Sequence, residues 1–291
     1  SRELKAQGKD IISLSLGEPD FHTPQFIKDA ANQAMKDNFT TYTPVPGYED
    51  LREAISEKFK RDNDLDYAVD QIVVSTGAKQ SIANVVMSIV NEGDEVIIPA
   101  PYWVSYIEIV KVAGGVPVIV NAGIETDFKI TGAQLEGAIT SKTKMMIFST
   151  PCNPTGSVYS KEELRDLANV LKNHKNVVTV CDEIYEHINF DSKHESLAQF
   201  NEVKDQVVTV NGMSKAWAMT GWRLGYIGAP KLIADACTKV QGQFTSGTCS
   251  ITQKAAIAAL KADPAILGDM IDAFKSRRGL VLDALSKIEG V

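Results

Sequence analysis

The sequence predicts an α/β fold, a mainly parallel seven-stranded sheet with helices on both faces, on three observations. Seven short β-rich apolar runs recur from about residue 70 onward. Segments with helical apolar spacing lie between most of them. The runs are nearly continuous in apolar residues rather than alternating, the pattern of strands buried on both faces. At 291 residues the chain is long enough for one large or two moderate domains with ample core.

Before the sheet, Gly17-Glu-Pro-Asp-Phe21 and Tyr42-Thr-Pro-Val-Pro-Gly47 read as loops punctuated by Pro and Gly around a helical pattern from Pro24 to Lys36. A second helical pattern, Glu49 to Arg61, leads into the first strand. The strands are expected at Gln71 to Thr76, Glu95 to Ile98, Val116 to Val120, Lys144 to Ser149, Val177 to Cys181, Val207 to Val210 and Leu224 to Ile227. Gln80 to Val90 and Lys161 to Leu171 are clear intervening helices, and the tail from about Ile251 to Ile288 is helical with breaks at Asp263-Pro264 and Gly268. In such sheets ligands sit beyond the carboxyl ends of the strands.

A net charge of -7 and the absence of a basic run argue against nucleic acid as a partner. No apolar run approaches the length of a membrane span, and the N-terminus has no apolar leader region. Cys152, Cys181, Cys237 and Cys249 form no C-x-x-C pair and read as reduced thiols of a cytoplasmic protein. His22, His174, His187 and His194 show no metal-ligand spacing.

The stretch Ser214-Lys-Ala-Trp-Ala-Met-Thr-Gly-Trp-Arg-Leu-Gly225 carries the most chemistry. It puts Lys215 beside a hydroxyl after the run Val207-Val-Thr-Val210, with Arg223 further on. An exposed lysine is protonated at neutral pH, whereas burial or a cationic neighbour such as Arg223 lowers its pKa and lets it attack an aldehyde. Ser214 and Arg223 suit a phosphate, and pyridoxal phosphate carries both groups. Alone, the dipeptide also describes an ordinary solvated lysine.

Other strand ends supply company. Thr76-Gly-Ala-Lys-Gln80 is a glycine turn at a helix start, able to dock a phosphate or simply to connect strand and helix. Trp103, in the loop Pro99 to Ser105, can stack on a planar ring or fill core. The doubled X-Pro units of Ser149-Thr-Pro-Cys-Asn-Pro-Thr-Gly156 force a rigid extended path, from which Asn153 can offer its amide to a ring oxygen or to its own backbone. Asp182, ending a buried strand, needs a cation or strong donors, which a protonated pyridine nitrogen, a helix cap or a salt bridge would provide. Tyr185 lies three residues on and can reach the ring hydroxyl or belong to the core.

On these residues, with Leu16-Gly-Glu-Pro-Asp-Phe21, Tyr42, Pro46-Gly47, Leu51-Arg-Glu-Ala54, Pro101-Tyr-Trp-Val-Ser-Tyr106, Asn153-Pro-Thr-Gly156 and Cys181-Asp-Glu-Ile-Tyr-Glu186, the chain resembles the class I aminotransferases of the fold-type-I pyridoxal-phosphate enzymes. Their bacterial aspartate aminotransferase branch is the most similar. The resemblance implies pyridoxal 5′-phosphate (PLP) as cofactor, held covalently by Lys215, which also shuttles the reaction's proton. It implies Asp182 at the pyridinium nitrogen, Asn153 and Tyr185 at the ring oxygen, and Trp103 stacked on the ring. The phosphate falls to the turn Gly77, Ala78 and Lys79, with Ser214, Arg223 and Tyr42 of a neighbouring subunit, hence a homodimer with shared active sites. Gly17 would lie near the substrate carboxylate, and Lys79 resembles the group that receives a distal carboxylate, with Thr245 to Thr248 close by across the interface.

The implied domains are an N-terminal segment 1–40 belonging to a small α/β domain, a large PLP-binding domain 41–250, and the truncated helical start of the small domain at 251–291. The implied reaction is L-aspartate plus 2-oxoglutarate to oxaloacetate plus L-glutamate by a ping-pong route, with a prephenate or aromatic aminotransferase, or another fold-type-I enzyme, as alternatives. Partners are then amino-acid and 2-oxo-acid substrates. No residue matches the family's C-terminal arginine for the substrate α-carboxylate. Arg277 and Arg278 read as edges of an apolar helical stripe with their charges in water. The sequence therefore reads as a fragment, or the ordered part, of a longer enzyme, with a cofactor-binding remnant lacking turnover as a further alternative. An NAD-binding domain would show G-x-G-x-x-G after the first strand, and none is there.

Overall fold

The computed structural model describes residues 2–12, 17–190 and 193–290; Leu16, at the head of one motif above, lies outside them. A short helix α1 (Arg2–Ala6) is followed by α2 (Gln25–Lys36), α3 (Glu49–Asn63), β1 (Ile72–Ser75), α4 (Ala78–Ile89), β2 (Glu95–Ala100) and α5 (Ser105–Val112). Then come β3 (Val116–Asn121), α6 (Gly132–Ala138), β4 (Thr143–Ser149), α7 (Lys161–Leu171) and β5 (Val178–Asp182). The remainder is β6 (Val207–Gly212), β7 (Gly225–Gly228), α8 (Lys231–Phe244), α9 (Ser250–Lys261) and α10 (Gly268–Leu285). All seven expected strands form one sheet in the order β1-β7-β6-β5-β4-β2-β3.

Successive strand residues point to opposite faces, and both faces are apolar. Val73, Val96, Ile98, Met145, Ile147, Val180 and Val208 pack on one side with Ile82, Val85 and Val86 of α4 and Val110 of α5. Val74, Ile97, Met146, Phe148, Cys181 and Val207 pack on the other with α2, α3, α7 and α9. That double burial is why the runs lack polar alternation. The capping box at Ser160 and Glu163 starts α7, whose Leu164, Leu167, Ala168 and Leu171 are buried.

Every neighbouring pair is parallel except those of β7, which runs antiparallel to both β1 and β6. The start of β7 therefore lies at the same sheet edge as the ends of the others. Arg223, just before β7, thereby joins residues that follow β1, β2, β4, β5 and β6.

Residues on either side of the divisions expected at 40 and 250 pack together. Ile27 and Ala31 of α2 share one core with Ala255, Ala256 and Ala259 of α9 and with Ile55 and Phe59 of α3. Small residues on α9 let these helices approach closely. By contrast α10 buries only Met270, and the expected stripe is largely open, Val281 and Leu285 both being exposed. Gly268 begins α10 rather than breaking it. Among the described residues no helix is long and apolar enough to cross a membrane.

Candidate active site

At the strand-end edge a cavity of about 490 Å³ opens, and ten of the twelve residues expected at the site line it. They are Gly17 from the N-terminal loop, Ala78 and Lys79 after β1, Trp103 after β2, Asn153 after β4, Asp182 and Tyr185 at the end of β5, Ser214 and Lys215 after β6, and Arg223 before β7. Gly77 lies directly behind Arg223, where an added Cβ would run into the guanidinium. Tyr42 does not line this cavity and is 96% exposed.

Gly77 has φ +89°, a left-handed conformation that glycine adopts without strain, and it caps α4. The first N–H groups of a helix have no carbonyl behind them, so Ala78 and Lys79 present donors at the positive end of the helix dipole. Arg223, itself at φ +54°, is held by its Nη1 donating to the Thr220 carbonyl at 2.8 Å. Gly225 pairs with Ser75, and a Cβ there would meet the backbone of Gly77 and Ala78. The Gly-Trp-Arg-Leu-Gly sequence thus lets the turn after β1 rest on β7, bringing amides and guanidinium to one corner.

Asp182 is 5% exposed. Its Oδ2 accepts from the Tyr106 hydroxyl at 2.7 Å and its Oδ1 from the Ile184 N–H at 3.3 Å. Among the described residues no cation lies within ion-pairing distance of it. Burial therefore dominates and pushes the Asp182 carboxyl up to about 6, against the pull of the Tyr106 and Ile184 donors. Burial likewise raises Tyr106 well above the usual phenol range, so that hydroxyl keeps its proton and donates it.

Lys215 Nζ donates to the Gly17 carbonyl and lies 5.6 Å from the centre of the Tyr185 ring. Its pKa is lowered, first by burial and only in small part by Arg223, while Glu18 and Asp182 oppose the shift. The cationic neighbour expected to activate it is thus the lesser cause. Burial raises the Tyr185 phenol, with Asn153 opposing the rise. Lys79 Nζ sits 4.8 Å above the Trp103 ring, a cation–π contact at the cavity wall. Thr245 and Thr248 bond Gln80 and Thr76 beside the turn after β1.

Sequence reasoning passed over Tyr106, Glu18, Ser149 and Thr220, which also line the cavity. Tyr106 stands three residues after Trp103, its ring edge-on to the indole at 5.5 Å, and that spacing into the first turn of α5 was its signal. Glu18 sits inside the Gly-Glu-Pro-Asp motif and accepts from Thr220 Oγ1 at 2.9 Å. Arg277 differs from expectation: its charge is paired with Asp20 at 2.7 Å, over the rings of Phe21 and Phe274. Arg278 borders a separate hollow that Tyr185 also lines.

The site has the donor set that PLP requires. Asp182 is a buried carboxylate with neutral donors and no contacting cation, as a pyridinium nitrogen needs. The corner at Gly77, Ala78 and Arg223 offers amides and a guanidinium to a phosphate, and Lys215 is an amine with lowered pKa between them.

The family model described as aminotransferase class I and II matches residues 9–291. The probable aspartate/prephenate aminotransferase of Rickettsia bellii is 50% identical over 289 residues, covering 99% of this chain and 72% of that protein. The aspartate/prephenate aminotransferase of Nitrosomonas europaea is 49% identical over 290 residues, covering 99% and 73%. Among solved structures, the aspartate aminotransferase from Rhizobium meliloti superposes with a TM-score of 0.97 at 43% identity, covering 99% of this chain and 73% of that one. The Thermus thermophilus aspartate aminotransferase with maleate gives 0.95 at 41%, covering 98% and 75%. With a match over nearly its whole length and half its residues identical to such a relative, this chain belongs to the class I and II aminotransferases.

Proposed function

We propose that this chain is a PLP-dependent aminotransferase that moves the amino group of L-aspartate to 2-oxoglutarate, releasing oxaloacetate and then L-glutamate in two half-reactions. The observation that carries the reading is the meeting of Lys215, Asp182 and the Gly77–Arg223 corner around one cavity. When bound, PLP supplies an electron-withdrawing ring that weakens the bonds at the substrate Cα.

The protein's part is orientation and proton handling. Asp182, steadied by Tyr106, would hold the ring nitrogen in its protonated form, Asn153 and Tyr185 would hold the ring oxygen, and Trp103 would pack against the ring. Ser214, Arg223 and the amides of Ala78 and Lys79 would hold the phosphate. Lys215 would anchor the cofactor and its amine would take the proton from the substrate Cα. A lysine can do this at neutral pH only if its pKa is lowered, and burial at this site lowers it. Gly17 borders the same space and would meet the substrate carboxylate.

The assembly we infer is a homodimer. Tyr42 is too exposed to serve its own cavity and would reach the phosphate corner of a second copy. The four cysteines are all free, in keeping with a cytoplasmic, reducing setting.

Lys79 argues for a dicarboxylic substrate. Its ammonium lies over Trp103 at the cavity wall, and the similar Thermus thermophilus enzyme was solved with maleate, a dicarboxylate. A second reading, prephenate as amino acceptor, is favoured by the names of the Rickettsia and Nitrosomonas relatives. A substrate panel separates the cases. Aspartate and glutamate should exceed alanine and phenylalanine in kcat/KM, and Lys79→Ala should lower the dicarboxylate values about tenfold or more while leaving the others nearly unchanged. Equal values across the panel would remove the dicarboxylate assignment.

A further inference from the structure

The turn after β5 sends its side chains in two directions. Asp182 and Tyr185 line the cavity. Glu183 and Glu186 do not; they are buried, 0% and 7% exposed, against α3 and the segment 194–196. Glu183 Oε2 accepts from Ser196 Oγ at 2.7 Å and meets His194 Nε2 at 2.8 Å. Glu186 is ion-paired with Lys58, accepts from Asn63 Nδ2 at 2.7 Å and lies 3.2 Å from His187 Nε2. Lys58 also donates to Asn63 Oδ1 at 2.7 Å.

Two carboxylates, Glu183 and Glu186, here face one ammonium, Lys58, and two imidazoles, His187 beside Glu186 and His194 beside Glu183. Burial alone would keep the His194 imidazole neutral, but Glu183 beside it outweighs burial and lifts the His194 pKa, with Glu186 adding to the rise and Lys58 opposing it. Other titratable groups face the cluster: His187 and Asp62, 4.0 Å apart, Tyr67, Cys181 and Asp182 toward Glu183, and Tyr226 toward Glu186. Ligand atoms of Glu183, Glu186 and His194 lie within 4.8 Å of one another, a spacing a divalent ion accepts. The Lys58 ammonium already occupies the cation's place against Glu186.

We propose that Glu183, His194 and Ser196, together with the Lys58–Glu186 pair, are positioning residues for transamination: they hold the turn that carries Asp182 and Tyr185 in register with the cofactor. None of them lines the cavity. Their effect passes through a turn with little slack, tied by Glu183 N–H to the Val210 carbonyl, Glu186 N–H to Glu183 and Ile188 N–H to Tyr185 at 2.8 to 2.9 Å. Removing one charge strands its partner in a dry site, and the stranded group is expected to shift the backbone that bears Asp182. The inference rests on the cofactor reading above.

The test measures the dissociation constant for PLP by reconstituting the apo chain, together with kcat and KM, in Glu183→Gln, His194→Gln, the double variant and the milder Ser196→Ala. Each single charge removal should weaken PLP binding on the order of tenfold and lower kcat with the amino-donor KM little changed. The double variant, which removes the carboxylate and its imidazole partner together, should recover part of the loss. In the parent, affinity should decline as pH rises through the raised His194 pKa, because the network's contribution is present while His194 is charged and lost on deprotonation. In His194→Gln that component should be lost, leaving only the pH dependence that Asp182 and Lys215 contribute. Folded His194→Gln and Ser196→Ala proteins with parental affinity and parental pH slope would overturn the inference, and Ser196→Ala decides it if the charge variants do not fold. A parent that binds no PLP at all is a different result, which sinks the cofactor reading and this inference with it.

Discussion

A carboxylate as deeply buried as Asp182 is costly to ionise until something cationic meets it. With its pKa raised from 3.8 to about 6, the apo protein binds more protons than the unfolded chain between those values. Stability from this group is therefore expected to fall as pH rises from about 4 through 6, by about 3 kcal/mol in total. Asp182→Asn should remove that slope, leaving an apo chain more stable than the parent at pH 7 in thermal unfolding yet nearly inactive with PLP added. An apo Asp182→Asn no more stable than the parent would mean that the carboxylate is not strained. The sequence showed that such a residue would need a partner. It did not show Tyr106, because a tyrosine in the first turn of a helix looks the same in sequence whether it fills core or donates to a carboxylate from a facing strand.

At the scale of elements, the meeting of β7 with the turn from β1 to α4 decides whether the phosphate corner exists. Gly225→Ala would drive a methyl group into the backbone of Gly77 and Ala78. The expected result is a loss of about 1–3 kcal/mol in denaturant unfolding and weaker PLP binding. Gly221→Ala, four residues earlier in open space, should change neither. Equal effects at the two glycines would show that the close approach does not matter. The strands were legible in sequence because burial on both faces leaves uninterrupted apolar runs such as Val177 to Cys181. The direction of β7 was not legible, since Gly-Tyr-Ile-Gly reads the same parallel or antiparallel. The packing of α9 was not legible either: its alanines are small where α2 and α3 press against them, and periodicity reports a helix but not its neighbour.

At the scale of the whole molecule, Tyr42, 96% exposed, is the residue on which the proposed homodimer is tested. Light scattering should give twice the 31.7 kDa chain mass, and Tyr42→Phe should weaken PLP binding several-fold without changing that mass. A monomer with full PLP affinity would refute shared sites. All the roles assigned here depend on where the cofactor attaches, and reduction with borohydride after PLP is added, followed by peptide mass spectrometry, reads that directly. The account predicts a phosphopyridoxyl group on Lys215 alone, absent from Lys215→Ala, whose turnover should fall on the order of a thousandfold. Label on another lysine, with Lys215 unmodified, would contradict it.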